Sequence, residues 1–415
     1  MTRTLALLGI GLMAFLLPWI AFFSDRSLAW VAGGAAILGL PWLITNRRAV
    51  RAATPAAAWL GLAGLAGVMA LGLLSPMWAD AEHAARMQVL AWRSALALVT
   101  GLPLVLIALQ LPGARAIIVR ALVAGISIGV AIAVFDLFSD HLALRIRTVF
   151  AKNLPTPDGI LAAAWQTTPD FFMSRFNDFW VIMTLSVALL IACLRPGWLF
   201  VAALAAMLAM AFFTISETSQ LIGIIGILVF VFCRVLGPAV VVTMAVLTVG
   251  VLATTPVLFP AVNDLLLATI DGANLLEYKL LERFEIWSTV ARSALDHPLF
   301  GHGLEFERLN ATYTGPGDYY KMDHLWHPHS LFAQVWQDIG LAGVVAASAI
   351  VIAIHRAALT LDRAAAAAVT ALAAMAVGAF GAAHSIWLGW WLCLFIILTI
   401  LAIAGRRPAE RELTS

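Results

Sequence analysis

The chain contains repeated runs of about twenty apolar residues, and each run is long enough to cross a lipid bilayer as an α-helix. Roughly twelve such runs can be delimited along the sequence. They lie near residues 5–23, 28–45, 55–74, 94–111, 116–136, 176–194, 197–215, 219–236, 238–259, 330–355, 364–383 and 386–404. Hydrophobic residues make up 62% of the chain and charged residues 12%, which is far more apolar than a soluble domain. The sequence therefore predicts an all-α polytopic membrane protein.

The first run and the cysteines add two expectations. Residues 5–23 follow a lone Arg3 and lack a small-residue cleavage site, so we interpret them as a retained first helix rather than a removed signal peptide. Cys193, Cys233 and Cys393 all fall inside predicted spans. Neither a disulfide framework nor a cysteine metal site is therefore indicated.

Arginines are divided unevenly between the two ends of the predicted spans. With the N-terminus inside, the short outer connections contain only Arg26. The inner connections and the tail contain Arg47, Arg48, Arg51, Arg115, Arg120, Arg195, Arg234, Arg356, Arg363, Arg406, Arg407 and Arg411. Because basic loops stay on the cytoplasmic side, this asymmetry predicts that both termini lie inside.

Three segments on the predicted outer side are too long to be simple turns. Residues 75–93 have apolar positions at helical spacing, which indicates a helix lying on the membrane surface. Residues 139–175 contain a Pro-rich turn, and residues 260–328 are long enough to form two or three amphipathic helices. The chain is thus divided into spans one to nine with the two shorter outer loops (1–259), a large outer loop (260–328), and spans ten to twelve with the tail (329–415).

Polar and aromatic residues gather in residues 283–343, unlike the apolar spans around them. This stretch contains five of the nine histidines, which are His297, His302, His324, His327 and His329. His329 and Ser330 are followed by nine residues and then by Gly340 and Gly343, in the pattern H-[N/S]-x9-G-x-x-G. We therefore expect the chemistry of the protein in this stretch.

The pattern resembles the signature of the bacterial O-antigen ligases, and more loosely that of the O-antigen polymerases and protein O-oligosaccharyltransferases. Arg283 and Trp287 in RFEIW, followed by HPLFGHG at residues 297–303, resemble the start of the large periplasmic loop of the same family. The resemblance implies a GT-C-like membrane fold with that loop between spans nine and ten.

The resemblance also implies a reaction. A glycan is moved from undecaprenyl diphosphate to a sugar hydroxyl of lipid A-core, at the periplasmic face of the inner membrane of a Gram-negative bacterium. The partners are then the lipid-linked donor, the lipid A-core acceptor and the membrane lipids, with no cofactor, metal ion or nucleic acid. The oligomeric state is not indicated.

Three residues are the candidates for the chemistry that the resemblance implies. Arg283 and Arg175 suit the binding of the leaving diphosphate, because guanidinium groups stay charged and bind phosphate oxygens in pairs. His329 suits the deprotonation of the acceptor hydroxyl, because an ordinary imidazole, with a pKa of about 6.5, is largely neutral near pH 7. Many relatives carry a Ser-Arg pair where this chain has Ser216 and Glu217, and Arg175 is the proposed substitute for the missing arginine.

Further residues are expected to contact the substrates. His327 and Trp326 precede the motif, and Glu217 is either an acid that supports the site or a group that binds the acceptor. Arg145 and Arg147, in the outer loop at residues 139–175, complete this set.

Each candidate also has a reading without catalysis. His329 beside Pro328 can simply cap a helix or face solvent, and Arg283 can form a surface pair with Glu282 or Glu285. Arg175 can reach to lipid headgroups. His324, His327 and His329 are spaced closely enough to bind zinc, although no cysteine lies near them.

Two other functions remain open at this point. A transporter would carry ionisable groups near the bilayer midplane and two related halves, whereas here the span interiors are nearly free of charge. An O-antigen polymerase uses the same donor but a lipid-linked glycan as acceptor, and the sequence does not identify the acceptor. The spacing of the motif favours the ligase.

Overall fold

The structure is a computed structural model. It describes residues 1–23, 27–78, 81–142, 145–146, 170–194, 198–213, 217–272, 275–304, 306, 328–382, 387 and 389–405. The described helices are α1 (Thr2–Phe23), α2 (Ser27–Ala53), α3 (Ala56–Leu74), α4 (Ala81–Gln110), α5 (Ala114–Phe138), α6 (Asp170–Cys193), α7 (Trp198–Phe213), α8 (Glu217–Leu236), α9 (Pro238–Thr269), α10 (Leu275–Ser293), α11 (Leu331–Ala358), α12 (Arg363–Ala382) and α13 (Gly389–Gly405). These ranges contain no β-strand.

The helices confirm the prediction of an all-α polytopic membrane protein. Within the described residues, eight helices are long and apolar enough to cross a bilayer. Shorter apolar helices cover Val99–Gln110 and Phe179–Cys193. Each run delimited in the sequence overlaps one helix, while the number of spans, about twelve, stays a prediction.

Small residues allow the helices to approach one another closely. Gly64 of α3 faces Ala346 of α11, and a Cβ atom at Gly64 would lie 2.5 Å from the Ala346 carbonyl oxygen. Gly125 of α5 meets the carbonyl oxygen of Phe15 in α1 in the same way. Such contacts hold helices together in lipid, where burial of apolar surface gives no advantage. As a result α11 lies along α3 and also contacts α9, α10 and α12.

Two predicted boundaries differ from the structure. Residues 81–93 are helical, as predicted, but they form the first part of the continuous helix α4 rather than a separate surface helix. Helix α9 runs to Thr269, ten residues beyond the end predicted for the ninth span. The charged helix α10 then follows, inside the segment predicted to form amphipathic helices. Residues 307–327 of that segment lie outside the described part.

Candidate functional site

The structure explains the spacing of the motif around His329. Ser330 caps α11, since its backbone is extended and its Oγ accepts a hydrogen bond from the Ala333 amide at 3.3 Å. Serine and asparagine are both preferred at this position. Nine residues, 331–339, then form a short helix that ends at Gly340, where φ is 58° and ψ is −156°. The motif therefore specifies a cap, a helix of fixed length and a break.

His329 stands at the entrance of this short helix in an unusual backbone conformation. Its φ is 50°, and the other described non-glycine residues in this region of φ are Asp140 and His141. The left-handed region is uncommon for a residue with a Cβ atom and concentrates at functional sites. His329 is half-buried between the buried residues Pro328 and Ser330. The cap thus holds the imidazole at the partly exposed start of the helix.

A strap, residues 298–303, fills the break in α11. The amides of His302 and Gly303 donate to the carbonyl oxygens of Gln337 and Asp338, at 2.7 and 3.1 Å. In the other direction, the amides after the break, Leu341 and Ala342, donate to Pro298 and Leu299, at 2.9 and 3.1 Å. The strap therefore satisfies backbone groups that the broken helix cannot pair within itself.

Glycine is required on both sides of this contact. Gly301 of the strap has φ 69°, and a Cβ atom there would lie 2.5–2.6 Å from backbone atoms of Gln337, Asp338 and Ile339. A Cβ atom at Gly340 would lie 2.6–2.7 Å from the backbone of Leu299 and Gly301. Since Cβ atoms do not approach other atoms so closely, both positions exclude any larger residue.

The end of α10 is joined to the strap and to the short helix. The His302 ring nitrogen Nε2 lies 2.9 Å from the Ser293 carbonyl oxygen. Gln337 Nε2 donates to Ser293 Oγ at 3.2 Å. Farther back along the two helices, Ile286 and Val290 of α10 share a buried cluster with Ala333. The two helices therefore run side by side in the same direction.

Arg283 and His329 each precede, along the chain, the residues that α10 and α11 contribute to this cluster. Arg283 lies one helical turn before Ile286 and on the same face of α10, and His329 lies four residues before Ala333. Both side chains are partly exposed. The two candidate residues therefore lie toward the same end of the two helices.

Aromatic side chains line the buried cluster shared by α10 and α11, and they are called the aromatic wall below. Phe259 of α9 packs against Phe284 and Trp287 of α10, with ring centroids 6.3 and 5.3 Å away. Nearby, Trp336 Nε1 donates to the Leu252 carbonyl oxygen at 2.6 Å. That oxygen would normally accept from the residue four positions on, but Pro256 has no amide hydrogen. Trp336 therefore fixes the short helix to a point where the proline has opened α9.

The other predicted residues are placed less fully. Arg145 turns back to Asp140, with Nη2 3.2 Å from the carboxylate, so its guanidinium supports its own turn. Arg175 lies in α6 and Glu217 is the first residue of α8, but their side chains are outside the described part. Arg147, Trp326 and His327 fall outside the described residues.

The zinc interpretation is likewise not tested by the described residues. These residues contain no group of three or more histidine, cysteine or acidic side chains that could hold a metal ion. His324 and His327, which the zinc interpretation needs beside His329, lie outside them.

Two polar pairs were not predicted from the sequence. Asp136 is fully buried in α5 and its carboxylate lies 2.9 Å from His141 Nδ1. Asp338 is fully buried in the short helix, and its carboxylate accepts a hydrogen bond from Trp387 Nε1 at 2.5 Å. An acidic residue inside a predicted span was the available signal in both cases, since a buried carboxyl group needs a partner. The sequence does not show which residue the partner is.

Comparison with known proteins agrees with the geometry. The family model described as O-antigen ligase matches residues 181–348. The match includes α10, the strap, His329 and the break at Gly340, and it begins six residues after Arg175. No curated protein matches the chain. Residues 181–348 of this multi-pass membrane protein are therefore similar to the O-antigen ligase family.

Proposed function

We propose that this protein is an O-antigen ligase, which transfers a glycan from undecaprenyl diphosphate to a sugar hydroxyl of lipid A-core. The observation that supports this most directly is that Arg283 and His329 precede the residues that α10 and α11 contribute to their shared buried cluster, toward the same end of both helices. Both residues lie inside the segment that matches the family. A permanent cation beside an imidazole suits a reaction in which a diphosphate leaves while a hydroxyl attacks.

The proposed reaction is a single displacement. The acceptor oxygen attacks the anomeric carbon of the glycan while His329 accepts the hydroxyl proton. The bond from the anomeric carbon to the diphosphate oxygen breaks, and its electron pair leaves with the diphosphate. Arg283, together with Arg175, binds the oxygens on which this charge accumulates. The anomeric centre is inverted, and the arginines take the role of a divalent cation.

The start of the short helix supports the same position for the diphosphate. The first amide groups of a helix have no acceptor within it, and they carry a partial positive charge. Ser330 Oγ accepts from the amide of Ala333, while Leu331 and Phe332 precede it in the first turn. Anionic oxygens between these amides and Arg283 would also lie beside His329. We further propose that Trp326, His327 and Glu217 contact the sugars, and that Arg147 binds the donor from the outer loop.

The test is transfer by purified protein in detergent, in the presence of EDTA, with the lipid-linked donor and lipid A-core supplied together. We expect glycan on lipid A-core with the wild type, and nearly none with Arg283→Ala or His329→Ala. Arg292→Ala is the matched control. It removes an arginine from the same helix whose partner is the exposed carboxylate of Asp264, at 3.1 Å, and it should keep full activity.

Two outcomes would contradict the proposal. Lengthening of the glycan on undecaprenyl diphosphate, with lipid A-core left bare, would identify a polymerase. Full transfer by Arg283→Ala would remove that residue from the site.

A further inference from the structure

The carboxylate of Asp338 occupies a place where an apolar side chain would ordinarily stand. Asp338 is fully buried and lies two residues before Gly340, near the end of the short helix. A buried carboxyl group is unfavourable unless it is hydrogen-bonded. Here the side chain accepts from Trp387 Nε1 at 2.5 Å, while the backbone oxygen accepts from the strap. Both the side chain and the backbone oxygen of Asp338 thus accept hydrogen bonds at the break.

Trp387 brings a third part of the chain to this point. It lies in the connection between α12 and α13 and is itself fully buried. Its ring packs over Gly72 of α3, where a Cβ atom would lie 3.1 Å from Cζ3, and Leu304 lies beside the same glycine. The indole is therefore held in place by α3 and by the residue that follows the strap. Its N–H group offers Asp338 a donor with a fixed position.

The geometry of the short helix makes this contact important for His329. Nine residues at about 1.5 Å each separate the break from the histidine by about 14 Å. A rotation of about 10° at the break therefore moves His329 by about 2 Å. Displacements of about 1 Å are enough to slow an enzymatic reaction about a hundredfold. The angle at the break must consequently be fixed by the contacts around it, which include the hydrogen bond between Asp338 and Trp387.

We propose that Asp338 and Trp387 are positioning residues, which set the angle of the short helix and so place His329 against the acceptor hydroxyl. This inference rests on the proposed function of His329. In this role neither residue needs to touch the substrate. Their hydrogen bond acts through the helix, and in a buried setting its loss would leave a polar group without its partner.

The test measures kcat and the KM of donor and acceptor in the purified protein, together with thermal stability. Trp387→Phe keeps the aromatic ring but removes the N–H group, and we expect kcat to fall about tenfold or more while both KM values stay within about twofold. Asp338→Leu should behave in the same way. Asp338→Asn keeps a carbonyl acceptor for the indole and should retain most of the wild-type kcat.

Thr54→Val is the matched control, because it also removes a buried side-chain hydrogen bond, from Thr54 Oγ1 to the Val50 carbonyl oxygen at 2.6 Å. Thr54 follows α2, outside the short helix and the strap, so we expect a loss of stability with little change in kcat. An equal fall in kcat would show that the loss of any buried hydrogen bond has this effect, and would overturn the assignment. Unchanged kcat in both Trp387→Phe and Asp338→Leu would overturn it too.

The outcomes separate this inference from the function on which it rests. If the wild type transfers no glycan to lipid A-core, the proposed function fails. If the wild type is active and the Asp338 and Trp387 variants are equally active, only the positioning role fails. Should Trp387→Phe not fold, the comparison of Asp338→Leu with Asp338→Asn still decides the question.

Discussion

Asn263 is a fully buried amide in α9. Within the part of the chain that the structure describes, neither its Nδ2 nor its Oδ1 makes a hydrogen bond. It lies one turn beyond Phe259, whose ring belongs to the aromatic wall of the candidate site. An unsatisfied buried polar group costs about 1–3 kcal/mol. The Asn263 amide therefore lowers the stability of the protein at a position next to the aromatic wall.

Asn263→Leu should raise thermal stability, because a similarly branched apolar side chain removes the unsatisfied atoms. The measurement is the unfolding temperature in detergent. Thr255→Val is the matched control, since it removes from the same helix a buried polar group that does have a partner, the Val251 carbonyl oxygen at 2.7 Å, and we expect no rise in the unfolding temperature for it. A decrease for Asn263→Leu would mean that a bound molecule, such as a buried water, satisfies the amide.

At the scale of single residues, the sequence indicated which residues to consider better than it indicated their surroundings in the fold. The spacing of the motif singled out His329, and the structure explains the spacing as a cap, nine helical residues and a break. Arg283, the other residue singled out, lies in α10, which contacts α11. The left-handed backbone of His329 and the burial of Asp338 could not be predicted. Both depend on the strap and on Trp387, which approach from other parts of the chain.

At the scale of elements, the break in α11 depends on one glycine that faces the strap. An alanine at Gly340 would have to adopt φ 58°, and its Cβ atom would meet the strap backbone at 2.6–2.7 Å. The left-handed conformation alone costs roughly 1–2 kcal/mol for a residue with a side chain. The strap would have to move away, and its amides would lose their acceptors.

Gly340→Ala should therefore lower the unfolding temperature and expose the strap. Hydrogen exchange at residues 301–303 and 341–342 reports on the exposure directly, and we expect faster exchange there than in the wild type. Gly250→Ala, in α9, is the control, because a Cβ atom there meets nothing within 4 Å and alanine favours the helix by about 1 kcal/mol. Unchanged exchange in Gly340→Ala would show that the strap does not depend on the glycine.

The sequence predicted where helices lie better than where they stop. Apolar content identifies a span, but it does not indicate whether the helix continues into the polar residues beside it. Residues 81–93 therefore join α4 without interruption, and α9 extends to Thr269 through Pro256 and Pro260. The break at Gly340 could not be predicted, because the residues on both sides of it are helical and together apolar enough to form a single predicted span.

At the scale of the whole molecule, the orientation in the membrane stays a prediction that rests on the arginines. The native cysteines do not interfere with a labelling test, since all three are buried. Asp296, in the turn after α10, and Arg51, at the end of α2, are both exposed and should lie on opposite sides.

Asp296→Cys should react with a membrane-impermeant maleimide in intact cells whose outer membrane admits the reagent. Arg51→Cys should react only after the inner membrane is permeabilised, because the positive-inside rule keeps it in the cytoplasm. Transfer activity of each variant confirms that the fold is retained. The reverse labelling pattern would show that the predicted orientation is wrong, and with it the periplasmic position of His329.

Neighbour relations between helices were the part of the fold that the sequence left open. Gly64 of α3 packs against Ala346 of α11, and Gly125 of α5 against Phe15 of α1. Pairings of this kind depend on small residues that fit together in lipid. Glycine and alanine occur in nearly every span of this chain, so the sequence offers many possible matches. Three-dimensional packing selects among them.

The late position of Trp387 has a consequence for how the protein is made. The strap and the short helix are synthesised before the residue that donates to Asp338, which follows Asp338 by 49 positions. A nascent chain can therefore insert α11 while its buried carboxyl group still lacks the indole. The candidate site reaches its final geometry only after the connection beyond α12 has been translated, so premature termination anywhere before residue 387 would release a membrane protein in which this site is incomplete.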